Sequence, residues 1–207
     1  MSTKVTAYER ALRSGQGALR QAFLDATRHL LVEEGPGALT LRRIAGEVGC
    51  TTKVVYTMFG GKDGLAEALY LDGFARFREL LLGIPVQDDP VAHLRALGAA
   101  YRQNALAVPD YYRVMFEQAI PGFVPSQQAK KSSRAVFEIL VSAADACVAA
   151  GRFAADSEAE QVAHMLWASQ HGVVSLELAG HLTHEVAERQ HAALLDAVIE
   201  AHATHTR

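Results

Sequence analysis

Thr40–Asp63, TLRRIAGEVGCTTKVVYTMFGGKD, reads as two short helices joined by a tight turn. Leu41, Ile44, Ala45 and Val48 fall at i, i+3, i+4 and i+7, one apolar stripe along about two helical turns. Thr40 stands just ahead of that stripe, where a side-chain oxygen caps a helix start. Gly49 stands just behind it, where a left-handed residue ends one. Thr51 is the corresponding cap of the second helix. There Val55, Met58 and Phe59 face inward, while Thr52, Lys53, Tyr56 and Thr57 face outward. A helix-turn-helix that reads DNA needs this division: its second helix must pack on the first and still show hydrogen-bonding groups to a groove. Capping and periodicity alone equally describe a helical hairpin that touches no nucleic acid.

The run resembles the DNA-binding domain of the TetR family of bacterial transcriptional regulators. Thr40, Ile44-Ala45, Val48-Gly49, Tyr56, Phe59 and Lys62 carry the likeness. It extends back through ALRQAFLDATRHLLVEEG and forward into GLAEALY, about the first third of the chain. Thr57-Met58 departs from the bulkier polar or aromatic residues usual in the family, so base preference is not carried over. Gly61 stands where Ser, Asn or Asp is common, which weakens capping of the following helix. The resemblance implies that Tyr56 and Lys62 contact phosphates, with Thr40 doing similar work from its helix N-terminus. Thr52, Lys53 and Thr57 share the exposed face of the second helix and are placed nearer base edges; Thr51 completes the set.

With 207 residues the chain is long enough to bury a real core, in one or two domains. Half of it is apolar, yet no run is long and uncharged enough to span a bilayer. The first nineteen residues lack the apolar segment of a signal peptide, so a cytoplasmic location is expected. Cys50 and Cys147 are single and far apart, as expected of two reduced, packed thiols. The net charge of −3 is not that of an unusually basic nucleic-acid binder, but it is unevenly distributed. Residues 1–62 hold nine Lys and Arg against five Asp and Glu (+4), and the remainder eleven against eighteen (−7). A basic end on an acidic body suits a DNA-docking domain joined to a regulatory one, and ordinary scatter also produces it.

Almost everything reads as helix, because Ala, Leu, Glu and Arg dominate and no strand-length alternation occurs. The fold class is therefore all-α, with about nine helices: an N-terminal three-helix DNA-binding domain with the helix-turn-helix, then a helical bundle for ligand binding and dimerisation. Residues 1–16, with Lys4, Arg10 and Arg13, read as a flexible polar arm that Gly15 and Gly17 separate from the first helix. Residues 17–63 form the reader and 64–207 the body. Leu19, Phe23, Ala26 and Leu30 stripe the first helix, and Gly35-Pro36-Gly37 stops it. A longer helix runs from Lys62 or Asp63 to about Leu82. Asp89 before Pro90 opens the next, to about Ala107. Further helices follow from Pro109, over Gln127–Ala150, over about Ser157–Ala179 and over His184–Ala203.

Val162–Leu178 is apolar nearly all round and must be covered on two faces, by its own chain or by a second subunit. Val162, Met165, Val173 and Leu176 share one side; Ser169 and Gly172 are small enough for close backbone approach; Leu194, Leu195 and Val198 offer a matching stripe near the end. YYRVMFEQAIPGFVP and the Trp167…His171-Gly172 run resemble the WHG-type C-terminal domain of some TetR-like regulators. That likeness implies a homodimer through the last two helices. Tyr101, Tyr112, Phe116, Phe123, Phe137, Trp167 and His171 concentrate aromatic side chains in mid-body. They suit either a filled core or an apolar pocket with a few polar tips, and the resemblance favours a pocket for a small apolar effector.

No catalytic constellation emerges. The chain has no Walker loop, GxSxG or HExxH. His164 and His171 are about 10.5 Å apart along one helix, too far to share an ion. No cofactor and no metal are expected. Two readings remain: a repressor that binds a double-stranded, palindromic DNA operator as a dimer and is released by an effector, or a helical ligand-binding or adaptor protein whose helix-turn-helix is structural.

Overall fold

The computed structural model describes the backbone of residues 7–204 and the side chains of residues 15–204. Over these residues the chain is all-α, with nine α-helices: α1 Ala7–Glu33, α2 Leu41–Val48, α3 Thr52–Phe59, α4 Lys62–Leu82, α5 Pro90–Ala107, α6 Pro109–Phe116, α7 Gln127–Ala149, α8 Ala159–Leu178 and α9 His184–His202. A short 3-10 turn at Pro36–Ala38 and an isolated bridge between Phe153 and Ala203 are the other regular features among them. No helix of the described residues is long and apolar enough to cross a membrane.

The start of α1 differs from the expectation. The helix already runs at Ala7, so Gly15 and Gly17 lie inside it. A glycine in a helix costs about 1 kcal/mol relative to alanine but leaves the hydrogen-bond ladder intact. The helix formers that follow (Ala18, Leu19, Arg20, Gln21) favour continuation. Residues 1–6 of the expected arm lie outside the described residues, as do the side chains of Arg10 and Arg13.

The helices sort into two compact units. One gathers the chain up to Asp72 with Asp110–Ser126; the other gathers Gly73–Pro109 with the chain from Gln127 onward. In the first, Phe23, Leu24 and Leu30 of α1 form a core with Ile44 of α2, Val55 of α3 and Leu65 and Leu69 of α4, none more than 2% exposed. Each such side chain contributes about 1.5–3 kcal/mol of burial. Phe59 meets Phe23 edge to face with ring centroids 5.6 Å apart, and the Arg20 guanidinium lies over the Phe59 ring, 5.1 Å from its centroid.

The helix ends explain why the turn is tight. Thr40 accepts the Arg43 N–H at 3.2 Å, and Gly49 ends α2 at φ 79°, left-handed as expected. Thr51 sits in extended N-cap geometry but its side chain accepts no capping bond. The Val54 N–H is taken instead by the Thr51 carbonyl at 3.0 Å, so the hydroxyl is left on the exposed face. Past α3, the first turn of α4 lies directly against the last carbonyl of that helix. A Cβ added at Gly64 would stand 1.7 Å from the Phe59 oxygen.

In the second unit α8 packs on α9 and α7, and α7 on α5. Cys147 is fully buried, and burial, with Asp89 adding, pushes its thiol up to about 11. It packs as a small apolar group. A polar layer crosses this unit. Arg102 donates to both carboxylate oxygens of Glu177 at 2.9 and 2.8 Å, and His184 Nδ1 lies 3.0 Å from the same carboxylate. Gln170 donates to the His191 carbonyl at 3.4 Å. Burial lowers the His191 imidazole below its ordinary value, and Arg102 adds to that, so it is held neutral.

Two outcomes follow from this packing. Gly64→Ala is expected to lower the stability of the first unit by about 2 kcal/mol or more, as overpacking against fixed backbone does. Gly46→Ala, in α2 with nothing within 4 Å of the new methyl, is expected to raise it by about 0.5–1 kcal/mol. Thermal unfolding of both variants checks the pair. For His191, a folded pKa below the usual value of about 6.5 means that the unfolded chain takes up the extra proton. Stability present above about pH 6.5 is therefore lost as the pH falls. The midpoint should drop between about pH 7 and 5 further in the wild type than in His191→Gln, and equal drops would assign the acid sensitivity to other groups.

Candidate functional site

Burial of Ile44 and Ala45 in α2 and of Val55 in α3 leaves the polar positions of both helices outward. All seven residues expected to touch DNA are exposed: Thr40, Thr51, Thr52, Lys53, Tyr56, Thr57 and Lys62. Tyr56 is the most conspicuous, an aromatic ring 58% exposed on a helix whose Val55 is fully buried. A Cβ at Gly61 would rest 3.5 Å from that ring, so the loop into α4 runs beneath it. Gly61 also has φ 132°, a conformation that the Ser, Asn or Asp usual in the family would adopt only with strain. The Thr57 hydroxyl donates back to the Lys53 carbonyl at 2.9 Å, leaving its lone pairs and methyl group on the surface. Thr51, Lys53 and Thr57 form one wall of an open groove whose other wall is Gln16, Gly17 and Arg20 of α1. Arg43 pairs with Glu34 beside the start of α2. The face as a whole offers hydroxyls, the ammonium groups of Lys53 and Lys62 and a phenol, groups of the kind that can donate to phosphates and base edges.

The aromatic set expected to hold an effector divides between the units. Tyr112, Phe116 and Phe123 belong to the first. There Tyr112 lies 5.2 Å from Phe116, and Phe123 lies 6.0 Å from Tyr70. Tyr101, Phe137, Trp167 and His171 belong to the second and form a chain of contacts. Phe137 is 5.8 Å from Trp167, Trp167 is 6.0 Å from His171, and the Tyr101 hydroxyl is 3.0 Å from His171 Nδ1. The Tyr101–His171 pair provides a polar tip at one end of an otherwise apolar aromatic row.

The residues expected at a dimer seam also divide. Met165, Leu176 and Leu194 are 40%, 45% and 39% exposed, and Gly172 is exposed beside them; Ser169 and Val198 are partly exposed. Val162, Val173 and Leu195 are buried within their own unit. At about 100° per residue, the α8 positions span one arc of the helix with two edges. Val162 and Val173 lie on the edge that packs inward; Met165, Gly172 and Leu176 lie on the edge left open. A partner subunit would meet that second edge only.

One cluster had no signal in the sequence. Arg28 of α1 pairs with Asp110, the second residue of α6, and lies 4.3 Å over the ring of the adjacent Tyr111. Tyr111 in turn donates its hydroxyl to Asp72 of α4. Asp110 and Tyr111 are 5% and 2% exposed. The partners are separated by 82 and 39 residues, and neither spacing nor periodicity connects them.

Comparison with known proteins agrees with the fold. The family model for bacterial regulatory proteins of the tetR family matches residues 23–69. The model for the tetracyclin repressor-like C-terminal domain matches residues 94–202, more than half of the chain. No curated protein matches. Among solved structures, a protein of unknown function from Rhodococcus sp. RHA1 is 25% identical, with 90% of this chain and 96% of that one covered at a TM-score of 0.78. A TetR family transcription regulator from Marinobacter aquaeolei VT8 is 17% identical, with 93% and 100% covered at 0.71. SmeT, the repressor of the Stenotrophomonas maltophilia multidrug efflux pump SmeDEF, is 22% identical, with 89% and 90% covered at 0.69. The last two likenesses are likenesses of fold.

Proposed function

This chain belongs to the TetR family, whose members are non-enzymatic DNA-binding transcription regulators, and on that premise we propose that it represses transcription as a homodimer which a small apolar effector releases from a palindromic operator. The observation that carries the DNA half of this reading is the two-sidedness of α3: Val55 is fully buried, while Thr52, Lys53, Tyr56 and Thr57 of the same eight-residue helix are exposed. A structural hairpin, the other reading, has no need of an exposed phenol and two hydroxyls around a lysine. In the proposed complex Tyr56, Lys62 and Thr40 hold phosphates, and Thr52, Lys53 and Thr57 approach base edges. The open edge of α8, together with Leu194 and Val198 of α9, forms the seam between subunits. A two-fold dimer then presents two recognition helices about 34–36 Å apart or a multiple of that, hence the palindrome. The domain division at 17–63 and 64–207, and a cytoplasmic location, belong to the same proposal.

The effector half rests on the aromatic residues of the body. The effector must favour the conformer with wrongly spaced recognition helices, since equal affinity for both conformers shifts nothing. A tenfold change in DNA affinity requires about 1.4 kcal/mol of coupling, within the usual range for allosteric proteins.

The two lysines separate the parts of the DNA reading. Lys62→Ala should weaken binding to all duplexes about alike and lower the slope of log K against log salt by about one. Lys53→Ala should instead reorder preference among operator sequences. An undiminished slope for Lys62→Ala removes its phosphate role. For the effector, a thermal-shift screen of hydrophobic metabolites and antibiotics should give a ligand whose affinity falls when operator DNA is bound, by the same factor by which it lowers DNA affinity. Equal ligand affinity with and without operator would remove the switch.

A further inference from the structure

The first unit is built from two stretches of chain that are distant in sequence, and an ionic cluster joins them at their charged ends. Arg28 stands on the last third of α1, the helix whose Phe23 buries against the reading helices. Its guanidinium meets Asp110 on one side and the face of Tyr111 on the other, with Asp25 3.6 Å away on its own helix. Tyr111 donates a hydrogen bond from its hydroxyl to Asp72, near the middle of α4. The four residues thus tie together α1, on which α2 packs, α4, which follows α3, and α6. A second polar tie runs parallel to it: the Ser126 hydroxyl donates to Glu67 of α4 at 2.6 Å.

Asp110 is the partner that makes the arrangement consequential. It is only 5% exposed, and a buried carboxylate without its cation is strongly disfavoured. Asp110 also occupies the first turn of α6, where the helix dipole favours a negative charge, and its carboxylate accepts the Arg28 Nε–H. Burial works against the charge of Arg28, but the bond to Asp110 and the attraction of its carboxylate outweigh it, so the guanidinium stands above its ordinary pKa. The pair has essentially one geometry, because the ring of Tyr111 fixes the plane of the guanidinium while its hydroxyl is fixed by Asp72.

We propose that Arg28, Asp110, Tyr111 and Asp72 are positioning residues for DNA binding: the cluster holds α1, and through it α2 and α3, in one orientation on segment 110–126, so that the reading face is ordered before it meets DNA. This rests on the DNA-binding reading given above. None of the four residues is needed at the DNA surface itself. Their loss acts by letting the reading helices sample orientations that DNA binding must then re-order, which lowers affinity without removing a phosphate contact.

The test uses full-length protein and duplexes that the wild type selects from a random-sequence pool. Arg28→Gln, Asp110→Asn, the double variant and Tyr111→Phe are compared at a temperature where each is folded by circular dichroism. Arg28→Gln and Asp110→Asn should each lower affinity for the selected duplex about five- to tenfold, with the salt slope of the wild type. The double variant should be no weaker than the weaker single variant, since both remove one interaction. Tyr111→Phe keeps the ring and loses only the hydroxyl, so it should fold even if the charge variants do not, and should lower affinity about two- to threefold. Folded variants that bind as the wild type does would overturn the proposal. So would a slope lowered by about one in Arg28→Gln alone, which would make Arg28 a phosphate contact. A wild type that selects no duplex at all overturns the DNA-binding reading, and this inference with it.

Discussion

The burial of Ile44 and Val55, with Phe23 of α1 set edge to face on Phe59 of α3, is the constraint on which the reading face depends. α2 and α3 have eight residues each, too few to be stable as isolated helices. They exist because their inner stripes are covered by α1 and by the start of α4. That same burial fixes which side of α3 is left over, and the leftover side carries Thr52, Lys53, Tyr56 and Thr57. Stability and exposure of the polar face are thus one constraint: a rotation of α3 that hid Tyr56 would expose Val55. The close approach of Gly64 to the Phe59 carbonyl then sets where α4 leaves the reader.

The body obeys a different rule. α8 is apolar around most of its circumference, and its own unit covers only part of it. The inward edge, Val162 and Val173, is packed; the other, Met165 and Leu176, remains 40% and 45% exposed, with Gly172 between them. Large side chains flanking a glycine form a surface that a second helix can approach closely, and that is the physical basis for assigning this edge to a subunit seam. The polar layer of Arg102, Glu177 and His184 crosses the same unit with its charges paired.

Local features were legible in the sequence. The Thr40 cap and the Gly49 stop follow from residue types with a local mechanism, and each appears where those types predict; α4 begins at Lys62, one of the two starts expected. The start of α1 departs from the sequence expectation: two glycines suggest a break, whereas the helix formers after them, and the tertiary cover further along, carry the helix through. Thr51 stands at the N-cap its residue type predicts, but which of its two oxygens takes the Val54 N–H is decided by backbone geometry that the sequence does not display. The arc of α8 was recognised without its division into two edges, since hydrophobicity tells which positions need cover but not what covers them. Long-range pairs were invisible: nothing about Arg28 or Asp110 in isolation marks them as partners across 82 residues. Sequence order likewise gives no sign that Asp110–Ser126 returns to the first unit.

The claim on which the account turns is that the outer face of α3 reads double-stranded DNA. Equilibrium binding of the full-length protein to a duplex selected from a random pool, against the same duplex scrambled and across a range of salt concentrations, tests it most directly. The account predicts a linear fall of log K with log salt for both duplexes, as phosphate neutralisation requires, and a preference of about a thousandfold or more for the selected sequence. Binding that is equally strong on both duplexes, or that does not respond to salt, would contradict it.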